Sequence, residues 1–119
     1  MTATIKTKRI YDPPARDDGV RILVDRLWPR GMAKADAEVV YWAKDIAPSN
    51  DLRKWYNHEP DKWKEFRKRY FKELDGNPDG MRELMQHTQA PLVTFLFSSK
   101  ETDLNNASVL KDYVQGRKA

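Results

Sequence analysis

Leu92-Val93-Thr94-Phe95-Leu96-Phe97 is the stretch that decides the fold. Its β-branched and aromatic side chains run almost without a polar break, the pattern of a strand covered on both faces. Pro91 and Ser98-Ser99 bound it with turn-forming residues. Val20-Arg21-Ile22-Leu23-Val24 has the same character and follows a turn at Asp17-Asp18-Gly19. Strands buried on both sides belong to parallel or mixed sheets with helices packed over them.

Working outward, Ile5 to Tyr11 alternates as a first strand, ended by Asp12-Pro13-Pro14 because proline has no N–H for a ladder. Ala35 to Ala43 is two-sided: Ala-Lys-Ala-Asp-Ala-Glu favours a helical turn, and Val39-Val40-Tyr41-Trp42 a short strand. Ser49 is placed to cap a helix carrying Leu52, Trp55 and Tyr56 on one face. Glu59-Pro60 opens a second helix, Asp61 to Leu74, with Trp63, Phe66, Tyr70 and Leu74 as its inward stripe. A loop from Asp75 to Gly80 precedes a short helix bearing Met81, Leu84 and Met85, ending near Thr88. Asp103-Leu104-Asn105-Asn106 opens a last helix whose Ala107, Leu110 and Val114 face inward. The expected architecture is α/β: a small, mostly parallel sheet of three or four strands covered by helices. Helices should link the strands with right-handed crossovers. One domain fills residues 1–119, with an ordered core of about 4–115.

Composition narrows the chemistry. The chain has no cysteine, which excludes disulfides, zinc-thiolate sites and a cysteine nucleophile. No basic flank with an apolar run opens it, and Leu92–Phe97 is too short to span a bilayer, so a cytoplasmic protein without membrane contact is expected. A net charge of +4, from 22 basic and 18 acidic residues, steers anions mildly and is not the dense field of a DNA-binding protein. Gly-rich phosphate loops, a Gly-x-Ser-x-Gly elbow and a His-Glu-x-x-His helix are all missing.

Four segments carry a family resemblance: Val24-Asp25-Arg26-Leu27-Trp28-Pro29-Arg30-Gly31, Lys44-Asp45-Ile46-Ala47-Pro48-Ser49, Leu52-Arg53-Lys54-Trp55 and Phe66-Arg67-Lys68-Arg69-Tyr70. Together they resemble the YeaO-like family, bacterial domain of unknown function 488, over about Lys8 to Tyr113. The resemblance implies a small α/β fold and a bacterial cytoplasmic protein, and it carries over no activity. The chain departs from the family pattern twice. Asn105-Asn106-Ala107 stands where the family often has histidine, and Glu59 stands where aspartate usually precedes the proline.

In open α/β sheets ligands bind beyond the carboxyl ends of the strands. Those ends are Tyr11-Asp12, Asp25 to Arg30, and Ser98-Ser99-Lys100. The middle one is richest. Arg26 and Arg30 could grip an anion, Trp28 could wall a base or sugar, and Asp25 could orient an arginine or accept a proton. Equally, Asp25 could pair with an arginine while Trp28 packs beneath the loop. Lys34 could assist, and Asn105 with Asn106 could offer the amides of the last helix to a phosphate near Lys100, or simply cap that helix. Asp45 and His58 are the other candidates for proton transfer, against roles in turn and helix-end hydrogen bonding. His87 near a helix C-terminus is suited to a cation. Neither histidine has ligand spacing to the other, so no metal or cofactor is expected.

Two functions follow. One is a site for a small phosphate- or carboxylate-bearing, nucleotide-like ligand at the Asp25-to-Gly31 loop. The other is a module docking protein or nucleic acid through the basic helix around Lys62 to Lys72, where Lys64, Arg67, Lys68 and Arg69 interleave with aromatics. Core packing of those aromatics and a Glu65–Arg69 surface pair explain that helix as well.

Overall fold

The computed structural model describes residues 4–116. Four strands, β1 (Thr4–Arg9), β2 (Val20–Leu23), β3 (Tyr41–Trp42) and β4 (Leu92–Phe97), form one sheet in the order β1-β4-β2-β3. Every neighbouring pair is parallel. Five helices accompany them: α1 (Lys34–Ala37), α2 (Asn50–Tyr56), α3 (Trp63–Asp75), α4 (Pro78–His87) and α5 (Asn106–Val114).

β4 lies between β1 and β2, which is why its sequence is nearly unbroken in apolar character: Val93 to Phe97 are all buried. One face of the sheet presents Ile5, Ile22, Val93 and Phe95 to a layer built from α2, α3, α4 and α5. The opposite face carries a smaller cluster, Ile10, Leu23, Ala37 and Leu96, covered by Trp28, Met32 and Val39 from the β2–β3 connection and by Trp42 of β3. Two unequal covers therefore make the sheet a buried layer.

Several elements differ from expectation. The first strand stops at Arg9, the partner of Phe97 where β4 ends. Ile10 still donates to the Phe97 carbonyl, but Asp12 turns back to the Arg9 carbonyl, so Tyr11 lies outside the sheet. No α-helix links β1 to β2; a 3-10 turn at Arg16–Asp18 does so. The ambiguous segment splits, with α1 and then the two-residue β3, because Glu38 adopts a left-handed conformation and leaves Val40 65% exposed. A 3-10 turn at Pro60–Lys62 precedes α3, and Met85 is exposed on α4. Trp55 is only half-buried beside Leu52 and Tyr56.

Arg21 is the one charge within the buried strands, and burying it demands a partner. Asp18, 1% exposed, provides one: its carboxylate accepts from Arg21, from Lys8 Nζ at 3.0 Å and from the Ala15 amide at 2.9 Å. The remaining guanidinium nitrogens donate to the Ala37 carbonyl, and Thr94 Oγ1 donates to the Asp18 carbonyl at 2.6 Å. Gly19, at φ 64°, lets this turn lie against β4, since a Cβ there would collide with the Leu92 carbonyl. Burial raises the Asp18 pKa, but hydrogen bonds from the Ala15 amide, Lys8 and Arg21 outweigh it and hold the carboxyl below its ordinary range.

Asp18→Ala leaves Arg21 buried without its counter-charge and should cost about 3–5 kcal/mol in urea unfolding. Because the folded pKa is depressed, that contribution is fully present above pH about 4, the unfolded value. It fades as pH falls through the folded value, so the gap between wild type and variant should narrow only in acid.

Candidate functional site

β2 and β4 are adjacent, yet the chain leaves them on opposite sides. From β2 it passes to α1 over the smaller cluster, and from β4 to α5 over the larger one. This divergence is the topological switch point at which open α/β sheets hold ligands. A cavity of about 530 Å³ opens there, within the usual size of small-molecule sites.

Asp25 forms the seam. Its Oδ2 accepts from the Ser98 amide at 2.9 Å and the Ser98 hydroxyl at 2.7 Å, and its Oδ1 accepts from Asn106 Nδ2 at 3.0 Å. Asn106 Nδ2 also reaches the Val24 carbonyl, and Trp42 Nε1 donates to the Asp25 carbonyl. One carboxylate thus ties together the ends of β2 and β4 and the start of α5. Among the described residues it makes no ion pair with an arginine.

Arg26 points the other way, donating to the Pro48 and Ala47 carbonyls at 3.1 and 2.9 Å. The carbonyls are held in place. Tyr70, fully buried on α3, donates to the Ile46 carbonyl at 2.7 Å, and burial pushes its phenol well above the ordinary range, so it remains a donor. Glu73 accepts from both the amide and hydroxyl of Ser49, which in turn caps α2. Arg26 is therefore anchored by neutral carbonyls, and among the described residues it forms no salt bridge.

Asp25, Arg26, Trp28, Arg30, His58 and Asn105 all line the cavity. Trp28 donates to the Met32 carbonyl at 2.7 Å and packs edge-on against Trp42, so its ring chiefly props the loop. Arg30 is exposed, and its carbonyl accepts from Tyr11. Asn105 caps α5: its oxygen accepts from the Ser108 amide and its nitrogen donates to the Glu101 carbonyl. Lys34 and Asp45 are not in the lining. Lys34 is exposed at the start of α1, and Asp45 in a 3-10 turn where its carbonyl accepts from Asn77. The Tyr11 and Ser98-Ser99 strand ends join the same cavity.

Arg53 and Lys54, in the last turn of α2, also line it and were not singled out by sequence reasoning. Asn57 and His58, both at positive φ, turn the chain sharply after them. Two consecutive non-glycine residues in that region are costly and mark a tightly determined turn.

Other features are engaged elsewhere. On α3, Arg67 pairs with Asp112 and Arg69 with Glu65 and with the Trp55 ring, and just before it Lys62 pairs with Glu59; Lys64 and Lys68 are exposed. His87 stacks on Tyr41 with ring centroids 3.8 Å apart. A groove of about 600 Å³ between α2 and α3 is open, and its Ser49 and Glu73 satisfy each other. Among the described residues no group of three or more His, Cys, Asp or Glu could hold a metal. Nor is any helix among them long and apolar enough to cross a membrane.

A parallel α/β domain with a cavity at its switch point is the class defined by this geometry. The family model described as "Inactive DUF488-N3 subclade" matches residues 4–119, and the chain belongs to the YeaO-like DUF488 family. It is 41% identical over 111 residues to "Uncharacterized protein YeaO" of Escherichia coli K12, covering 93% of this chain and 96% of that protein. To "Uncharacterized protein Rv3073c" of Mycobacterium tuberculosis H37Rv it is 39% identical over 113 residues, covering 95% of each. No solved structure matches the chain.

Asp25→Asn tests the seam. Both carboxylate oxygens act only as acceptors, so an amide must place its NH2 against a donor. Urea unfolding should show a loss of about 1–3 kcal/mol. Unchanged stability would mean that these hydrogen bonds do not hold the strand ends together.

Proposed function

We propose that this domain binds a small phosphate- or carboxylate-bearing ligand, nucleotide-like in size, at the switch-point cavity in the bacterial cytoplasm, and binds it without transforming it. The observation that carries the reading is the charge imbalance of the lining. Arg26, Arg30, Arg53 and Lys54 face a space with one carboxylate, Asp25, whose oxygens already accept three hydrogen bonds. Cations gathered in a concave wall with low-dielectric surroundings concentrate anions.

Binding rather than catalysis is supported in two ways. A general base must reach the proton it removes, and Asp25 is occupied by Ser98 and Asn106. His58, the other acid–base candidate in the lining, is exposed and makes no hydrogen bond that would orient its ring. The word "inactive" in the family description agrees with that reading. Docking through α3 has less support, since Lys62, Arg67 and Arg69 already have partners within the domain.

The test is isothermal calorimetry with nucleoside monophosphates, sugar phosphates and dicarboxylates on wild type, Arg30→Ala and Arg53→Ala. Both arginines are exposed, so the variants should fold. A hydrogen bond to a charged group contributes about 1.5–3 kcal/mol, so each variant should bind roughly tenfold to a hundredfold more weakly. The loss should shrink at high salt. Equal affinity in wild type and both variants would take the ligand out of this cavity.

A further inference from the structure

Resting on the anion-binding reading above, we infer that the ligand is an anion with an apolar ring, entering ring first and leaving its charged group at the mouth. The lining residues sort by depth. Pro48, Tyr56 and Phe66 are buried and Leu104 is half-buried, whereas Arg30, Arg53, Lys54 and His58 are exposed. Apolar side chains make up most of the buried lining, and three of its four arginines and lysines are exposed, beside the exposed Tyr11 and Leu27.

Most polar side-chain atoms of the buried and half-buried lining are already committed; Arg26 spends Nε and Nη2 on the Pro48 and Ala47 carbonyls and keeps Nη1. Tyr56 Oη donates to the Leu104 carbonyl at 3.0 Å. Asn105 uses its oxygen on the Ser108 amide and its nitrogen on the Glu101 carbonyl. Ser98 donates its hydroxyl to Asp25, and Asn106 donates its amide nitrogen to Asp25 and Val24. What Asn106 leaves over is an acceptor oxygen, which repels an anion. A bare oxyanion seated deep would lose its water and find few side-chain donors beyond Arg26 Nη1, a large cost for a charged group. A ring seated there loses nothing polar and gains the area it removes from water. At the rim, Arg30 and Lys54 make no side-chain hydrogen bond, and Arg53 makes only one, at 3.3 Å to Asn50. They are open to a phosphate or carboxylate. The cavity volume of about 530 Å³ accommodates one such ring with its substituent. The opposite orientation, phosphate inward against the first amides of α5, is the competing arrangement.

Three probes separate these cases: phenyl phosphate, inorganic phosphate and benzyl alcohol. Each is titrated by calorimetry and by NMR of the aromatic ring protons. Phenyl phosphate should bind at least about tenfold more tightly than either fragment, since burying a ring and meeting a cation each add at least that factor. It should shift the ring signals of Phe66 and Tyr56. The double variant Arg53→Ala/Lys54→Ala, at two exposed positions, should bring phenyl phosphate down towards benzyl alcohol while leaving those ring shifts in place at saturation. Inorganic phosphate binding as tightly as phenyl phosphate would overturn the ring-first inference and leave the anion reading standing. Absence of binding by both phosphates would overturn both. Ring shifts confined to Trp28, with Phe66 and Tyr56 silent, would likewise contradict the orientation.

Discussion

The Asp25 carboxylate governs the architecture around the site, because it joins three chain ends that would otherwise separate. β2 and β4 run side by side and then send the chain to opposite faces of the sheet. Such a divergence opens a crevice and leaves backbone groups beyond the last ladder bond. A buried or half-buried amide without a partner is costly. Asp25 accepts from the Ser98 amide on one side and Asn106 on the other, so the crevice stays open without orphaned donors. A longer Glu, or an amide, could not satisfy the same donors from the same place.

The second constraint is electrostatic. Two clusters of charge lie at opposite ends of the strands, and they are handled differently. Before the amino end of β2, Asp18 accepts from both Arg21 and Lys8, and among the described residues no buried side-chain polar atom is left without a partner. At the carboxyl ends, Arg26 is fixed by the Ala47 and Pro48 carbonyls, which orient it without cancelling its charge. Those carbonyls are positioned by Tyr70 and Glu73 reaching across from α3. The helix α3 thus serves the site indirectly: its buried face sets the segment on which an arginine leans.

Much of this was legible in the sequence. β2 and β4 were recognisable because burial on both faces leaves almost no polar position, and Ser49 because its hydroxyl has the N-cap chemistry that the structure shows. The Asp25-to-Gly31 loop was marked by arginines next to proline and glycine at a strand end. Other features were hidden for physical reasons. Arg53 and Lys54 lie on the exposed side of α2, and only tertiary packing brings α2 to the mouth of the cavity. The strand Ile5–Tyr11 looked longer than it is because local alternation persists beyond the point where the neighbouring strand ends. β3 is too short to show any period. The pairing of Arg21 with Asp18 was not read from the sequence, where Asp18 looked like an ordinary turn residue three positions earlier.

The most direct measurement is an amide chemical-shift map of the domain titrated with a nucleoside monophosphate. Perturbations should cluster on Arg26, Arg30, Arg53, Ser98 and Asn106, segments far apart in sequence that share only the switch-point cavity. Shifts confined to the outward positions of α3, Lys64 and Lys68 among them, with the cavity residues unmoved, would contradict the account.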